Sequence, residues 1–124
     1  MYIQAGGNKV SIQVIQQAIN YMEEHICEPI NYVQVAEKVH MSGYNFHRTF
    51  SFIVGMTANE YIRNRRLILA AVELQTTDIS VMDAAYKYGY ESPESFAKAF
   101  TRFHGVIPRQ AKQKGTNFIC FNRL

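Results

Sequence analysis

The chain has 124 residues, 48% of them hydrophobic and 19% charged, enough for one domain with its own core and too apolar for a disordered chain. Thirteen Lys and Arg against ten Asp and Glu give a net charge of +3, too small by itself to name a partner. No run approaches the ~20 apolar residues of a membrane span; the apolar stretch from Leu67 to Val72 falls far short of it. The opening MYIQAGGNKVSIQ has no charged segment followed by an apolar core, so no secretory signal is visible.

Cys27 and Cys120 are isolated, which suits reduced thiols in a cytoplasm better than a disulfide framework. The histidines, His25, His40, His47 and His104, make no metal spacing and join no nucleophile–base–orienter grouping. Neither a catalytic site, a cofactor nor a metal is expected.

Residues 1–10 read as an N-terminal arm. The first helix is expected from about Ser11 to His25, with Ser11 as N-cap and Val10 stapled to Ile15. Ile12, Ile15, Ile19, Met22 and Ile26 recur at helical spacing as its buried stripe, and Glu28-Pro29 stops it. Asn31, with Gln34 three residues on, caps a short second helix whose inner side is Val35, Ala36 and Val39. His40 and Met41 make a turn, His being one of the few non-glycine residues that tolerate a left-handed conformation. Ser42 caps a third helix to about Ile53, with Phe46, Phe50 and Ile53 inward and Gly55 as the C-terminal cap. A short helix, a tight turn and a second helix read as a helix-turn-helix.

Thr57 and Glu60 form an S/T-x-x-E capping box that opens a long fourth helix to about Gln75. Arg63, Arg65 and Arg66 are expected to leave one face of its first half wet. From Leu67 to Leu74 it is apolar nearly all round, as befits a helix enclosed by other elements. Ser80 then caps a fifth helix to about Lys87, and Gly89-Tyr90-Glu91 makes a turn. Ser92-Pro93 opens a sixth helix, with Pro at the position where its missing N–H costs nothing. Phe96, Phe100 and Phe103 form its stripe, Gly105 ends it, and Pro108 opens a last short helix to about Lys114. In the tail, Phe118, Ile119, Cys120 and Phe121 suit a strand or linker.

The chain therefore writes one unit twice. Ala36, Ser42, Phe46, Phe50 and Gly55 recur as Ala85, Ser92, Phe96, Phe100 and Gly105. The last four pairs are 50 residues apart and the alanines 49, which puts one extra residue in the second turn. With two copies and a long helix between them, a pseudo-symmetric domain is expected rather than a solenoid. The fold class is all-α, with about seven helices and two helix-turn-helix subdomains joined by the long central helix. The domain spans 11–114, divided into a first unit (11–56), a linker helix (57–77) and a second unit (78–114), with 115–124 as a tail.

Charge is distributed unevenly over these parts. Residues 1–40 carry two lysines against four glutamates, a balance of −2. Residues 98–124 hold Lys98, Arg102, Arg109, Lys112, Lys114 and Arg123 with no acid, a balance of +6. An anionic partner on one side would favour such asymmetry.

On the third helix, Tyr44, His47, Arg48 and Ser51 share the face opposite Phe46 and Phe50. Arg48 can bridge guanine O6 and N7, Tyr44 can pack on a thymine methyl or reach a phosphate, and His47 or Asn45 can bond a base edge or the backbone. On the sixth helix the matching face holds Glu94 and Lys98, with Ser95 and Arg102 beside it. Lys98 is the expected base or phosphate contact. Glu94 could accept from cytosine N4, or simply pair with Lys98 one turn on. The phosphate contacts expected are Ser42, Ser51, Ser92, Arg102, Arg109 and Lys112. A nineteen-residue helix is roughly 28 Å long at 1.5 Å per residue, close to the ~34 Å between successive major-groove segments.

On Ala36, Ser42, Phe46, Arg48, Phe50, Gly55, Tyr61, Arg66-Leu67 and Ala70, and again on Ile79-Ser80, Ala85, Gly89-Tyr90, Ser95-Phe96, Phe100, Gly105 and Pro108, the sequence resembles the DNA-binding domain of the AraC/XylS family of bacterial transcription regulators. The resemblance covers about residues 11–114. It implies a monomer on an asymmetric promoter site in two adjacent major grooves, acting as an activator, with RNA polymerase as a possible further partner and the bacterial nucleoid as its place of work. By position, Tyr44, His47 and Arg48 match the first base-reading set, and Glu94, Ser95 and Lys98 the second. Pro93-Glu94 and Ala111-Lys112 depart from the family pattern.

The stretch YNFHRTF is similar to members whose DNA-binding domain comes first and is followed by a GyrI-like effector-binding module, which the tail GTNFICFNRL would suit. The chain is then either a stand-alone regulator or, as the tail favours, a fragment whose small-molecule effector acts through a domain outside it. The alternative function is a helical protein-interaction adaptor, which Tyr44 and Phe52 could serve.

Overall fold

In the computed structural model, residues 2–5 and 8–120 are described, with side chains from residue 12 onward. The helices follow the order expected: α1 (Ile12–Glu24), α2 (Tyr32–Lys38), α3 (Gly43–Val54), α4 (Ala58–Thr76), α5 (Val81–Lys87), α6 (Pro93–His104) and α7 (Pro108–Ala111). The N-terminal arm adds an element the sequence did not suggest, an antiparallel hairpin of β1 (Tyr2–Ala5) and β2 (Asn8–Ser11). Ser11 closes β2, immediately before α1; its capping side chain and the Val10 staple lie outside the described side chains.

Two compact units divide the chain between Arg63 and Asn64, within the continuous helix α4. The core of the first is the stripe of α1 (Ile15, Ala18, Ile19, Met22) with Val35 and Ala36 of α2, Phe46 and Phe50 of α3, and Tyr61 and Ile62 of α4. Ile12, the first residue of the expected stripe, is exposed. The Tyr61 hydroxyl donates to Glu23 Oε2 at 3.2 Å, so this large ring is buried with its polar end satisfied. The second core gathers Leu67, Ala70, Ala71 and Leu74 of α4, Ala84 and Ala85 of α5, Phe96 and Phe100 of α6, and Ala111. Each fully buried Phe or Leu contributes about 1.5–3 kcal/mol, so the paired phenylalanines of the duplicated pattern are the main anchors of their units.

The first half of α4 departs from expectation. Arg63 is exposed and Arg66 half-buried, but Arg65 is only 7% exposed. An arginine can bury its methylene stem wherever a neighbouring element covers it, and residue spacing does not reveal the cover. α4 opens as predicted: Thr57 Oγ1 accepts from the Glu60 N–H at 3.1 Å and Glu60 Oε1 from the Thr57 N–H at 3.0 Å. The Thr57 N–H first, and its hydroxyl second, hold the Glu60 carboxyl below the usual range. Helix α7 is a single turn that ends at Ala111 rather than Lys114. Residues 116–120 form neither strand nor helix; Phe121 lies outside the described residues.

Candidate nucleic-acid interface

Each unit presents one helix on a scaffold of locally encoded caps. In the first, Asn31 Oδ1 accepts from the backbone N–H groups of Val33 and Gln34, while Gln34 Oε1 accepts from the Asn31 N–H. The start of α2 is tied to α4 by the Tyr32 N–H, which donates to Asn59 Oδ1 at 3.0 Å. After α2 the chain reverses at His40, a non-glycine residue in the left-handed region at φ 59°. The Met41 N–H then closes onto the Ala36 carbonyl at 2.9 Å. Ser42 Oγ caps α3 by accepting from the Asn45 N–H, and Gly55, at φ 88°, ends it.

The second unit repeats this with one substitution and one insertion. Gly89, at φ 89°, takes the place of His40, and the Tyr90 N–H closes onto the Ala85 carbonyl at the same 2.9 Å. Glu91 is the extra residue before the cap, which places the offset of 50 inside the turn. Ser92 Oγ accepts from the Ser95 N–H, Pro93 occupies the first turn, and Gly105 ends α6 at φ 77°. Two turns of different sequence thus deliver two helices with the same cap chemistry at both ends.

On α3, Phe46, Thr49 and Phe50 are buried, which turns the opposite face outward. Tyr44 is 70% exposed and Arg48 is exposed one turn further on, with its guanidinium 5.4 Å from the Tyr44 ring centroid. This contact holds Arg48 over its own helix without neutralising it. The half-buried His47 ring lies 5.2 Å from the Tyr32 ring. The Ser51 hydroxyl donates to the His47 carbonyl at 2.7 Å, which leaves its oxygen to accept only. Asn45 is half-buried beside this face, and Phe52, 78% exposed, extends it towards the helix end.

On α6, Phe96, Phe100 and His104 are buried, while Glu94, Ser95, Lys98 and Arg102 are exposed on the other side. Among the described residues no ion pair joins Glu94 to Lys98, so both charges face solvent separately. The Ser95 hydroxyl donates to the Ser92 carbonyl at 3.0 Å and lies 3.2 Å from Ser92 Oγ, so the two serines belong to the helix cap first. Arg109 is exposed on α7. Lys112 is set differently from the other cations: its ammonium donates to the Ile79 carbonyl at 2.6 Å, which pins the end of α7 to the α4–α5 loop and leaves two of its three N–H donors.

Sequence reasoning missed His104. Its Nε2 lies 2.8 Å from the Leu67 carbonyl and its Nδ1 accepts from the Ile119 N–H at 3.1 Å. A histidine four residues after the buried Phe100 was the only signal, and its partners stand 37 and 15 residues away. Among the described residues, no group of His, Cys, Asp and Glu could hold a metal ion, and no helix is long and apolar enough to cross a membrane.

The helix-turn-helix domain pattern matches residues 35–114. The chain is 43% identical over 102 residues to the regulatory protein SoxS of Salmonella typhimurium, covering 82% of this chain and 95% of that protein. It is 34% identical over 105 residues to the HTH-type transcriptional activator AarP of Providencia stuartii, covering 85% and 78%. Among solved structures it is similar to a transcriptional regulator with an AraC-type DNA-binding domain from Chromobacterium violaceum, with a TM-score of 0.76, 25% identity and coverage of 81% and 89%. It also resembles the DNA-binding domain of AdpA, determined in complex with a target DNA, with a TM-score of 0.70, 26% identity and coverage of 76% and 85%. Duplicated architecture, matching capped helices and these relatives agree: the chain belongs to the AraC-type helix-turn-helix family of DNA-binding transcription regulators.

Proposed function

We propose that this chain binds promoter DNA as a monomer, places α3 and α6 in adjacent major-groove segments, and activates transcription with RNA polymerase as its protein partner. The observation that supports this most directly is the repetition of cap chemistry: Ser42 and Gly55 frame α3 as Ser92 and Gly105 frame α6. Each frame turns outward a face that carries exposed cations, Arg48 on α3 and Lys98 and Arg102 on α6. Arg48 is the main base reader of the first helix, with Tyr44, Asn45 and His47 around it. Lys98 leads the second, with Ser95 and Glu94. Ser42, Ser51, Ser92, Arg102, Arg109 and Lys112 position the phosphates, Ser51, Ser92 and Lys112 with fewer free donors than the rest. The names of SoxS and AarP, a regulatory protein and an activator, point the same way, and the place of work is the bacterial nucleoid. A small-molecule effector would act only through a domain outside this chain.

The exposed Tyr44 and Phe52 favour a second reading, a docking face for another protein. Selection of sites from a random duplex pool, followed by footprinting of the winner, separates the two. Two protected boxes centred about one helical turn apart, with affinity falling steeply as salt rises, are the expected outcome. A single box removes α6 as a reader, and no enrichment leaves the protein-docking reading.

A further inference from the structure

The tail is fastened to α6 through one imidazole. Gln75 Nε2 first holds the chain by donating to the carbonyls of Gln113 and Thr116, and Phe118 then stacks edge-on against His104, with centroids 5.6 Å apart. Both polar partners of His104 are backbone groups whose roles cannot reverse. The Leu67 carbonyl only accepts, so Nε2 carries the proton; the Ile119 N–H only donates, so Nδ1 is bare. The ring is therefore neutral and its tautomer fixed by the fold. It is 7% exposed, enclosed by Phe100 and Phe103 of its own helix, by the α4 backbone and by the tail. None of the groups it meets on these three elements titrates.

We propose that His104 is a positioning residue for the second reader, coupling order in the tail to the orientation of α6, so that loosening the tail weakens binding at the second half-site alone. The proposal rests on the reading of α6 as a DNA reader. An α6 that occupies its docking orientation only part of the time lowers apparent affinity by that fraction. Protonation of Nδ1 would turn the acceptor into a donor facing another donor. Burial holds the His104 pKa below 6.5, although the Leu67 carbonyl acts to raise it. The tail tie is therefore complete above pH 6.5 and is lost as pH falls through the lowered folded value.

Three variants of the full chain test this. His104→Gln can keep the bond to Leu67 but offers nothing to Ile119. Ile119→Pro deletes the N–H at an exposed side chain. His104→Asn restores an acceptor at the position of Nδ1. On a two-box duplex, His104→Gln and Ile119→Pro should each weaken second-box protection about threefold or more, without adding in the double variant. His104→Asn should stay near wild type, and first-box protection should hold throughout. Without DNA, amide exchange in the last turns of α6 should quicken in the first two variants and not in the third. Lowering the pH from 8 to 5 should weaken the second box in wild type and leave it flat in His104→Gln. Equal losses at both boxes, a loss shared by His104→Asn, or unchanged exchange and binding would overturn the proposal. A wild-type footprint with one box refutes α6 as a reader instead, and the coupling then stands or falls on amide exchange.

Discussion

Replacing Arg48 with alanine separates reading from mere attraction. The side chain is exposed and, among the described residues, its polar end meets only the Tyr44 ring at 5.4 Å. Folding therefore loses at most the ~0.5–1 kcal/mol of an exposed cation–π contact. A bidentate contact to guanine is worth about 1–3 kcal/mol of discrimination, which is roughly 5- to 150-fold in affinity. Titrations by fluorescence anisotropy should use the selected site and its single-base variants, at several salt concentrations. Arg48→Ala should lose this factor on the cognate site, and the preference at one base pair should disappear. Arg48→Lys should keep the salt slope but not the preference, because a point charge cannot form the planar fork. Equal loss on cognate and random DNA would refute the reasoning and make Arg48 a phosphate contact.

Three further outcomes concern the scaffold. The Thr49 hydroxyl, on a residue 2% exposed, has no hydrogen-bond partner among the described residues; Thr49→Val should raise stability by about 1 kcal/mol, and a fall in melting temperature would show that the hydroxyl is satisfied. Gly55 sits at φ 88° with nothing within 4 Å of an added Cβ, so Gly55→Ala should cost about 1–2 kcal/mol from backbone strain alone, measured by urea unfolding; a neutral result would mean that the C-cap relaxes. Glu73 accepts from Lys87 Nζ and the Tyr88 hydroxyl, and these bonds, Lys87 first, hold its carboxyl below 4.5. Its contribution is complete above that value and is lost as pH falls through the lower folded one. Glu73→Gln should cost about 1 kcal/mol at pH 7, and the gap to wild type should close in acid; a gap constant from pH 7 to 3 would exclude this linkage.

Most of the fold could be read because its signals are local. Asn31 with Gln34, Thr57 with Glu60, and Ser42 and Ser92 satisfy N–H groups two or three residues away, so four residues of sequence contain the whole interaction. His40 and the glycines at 55, 89 and 105 likewise announce left-handed turns. What escaped depends on distant partners. Arg65 looks solvated until something covers it, Lys112 looks like a free cation until Ile79 arrives from 33 residues away, and His104 gains both partners only after folding. The α3 and α6 faces were legible as surfaces, because the buried phenylalanines fix what lies opposite. Which exposed groups retain free donors was not, since Ser51 and Ser95 spend theirs on their own helices.

The division of the chain between Arg63 and Asn64 falls inside a helix rather than in a loop, and this bears on how the protein melts. A helix pays its nucleation penalty once and needs ~12–15 residues to persist by itself in water. The first unit owns only the opening turns of α4, too few to survive if the rest unravels. Fraying from either end therefore runs along a single backbone ladder, to which both cores contribute side chains.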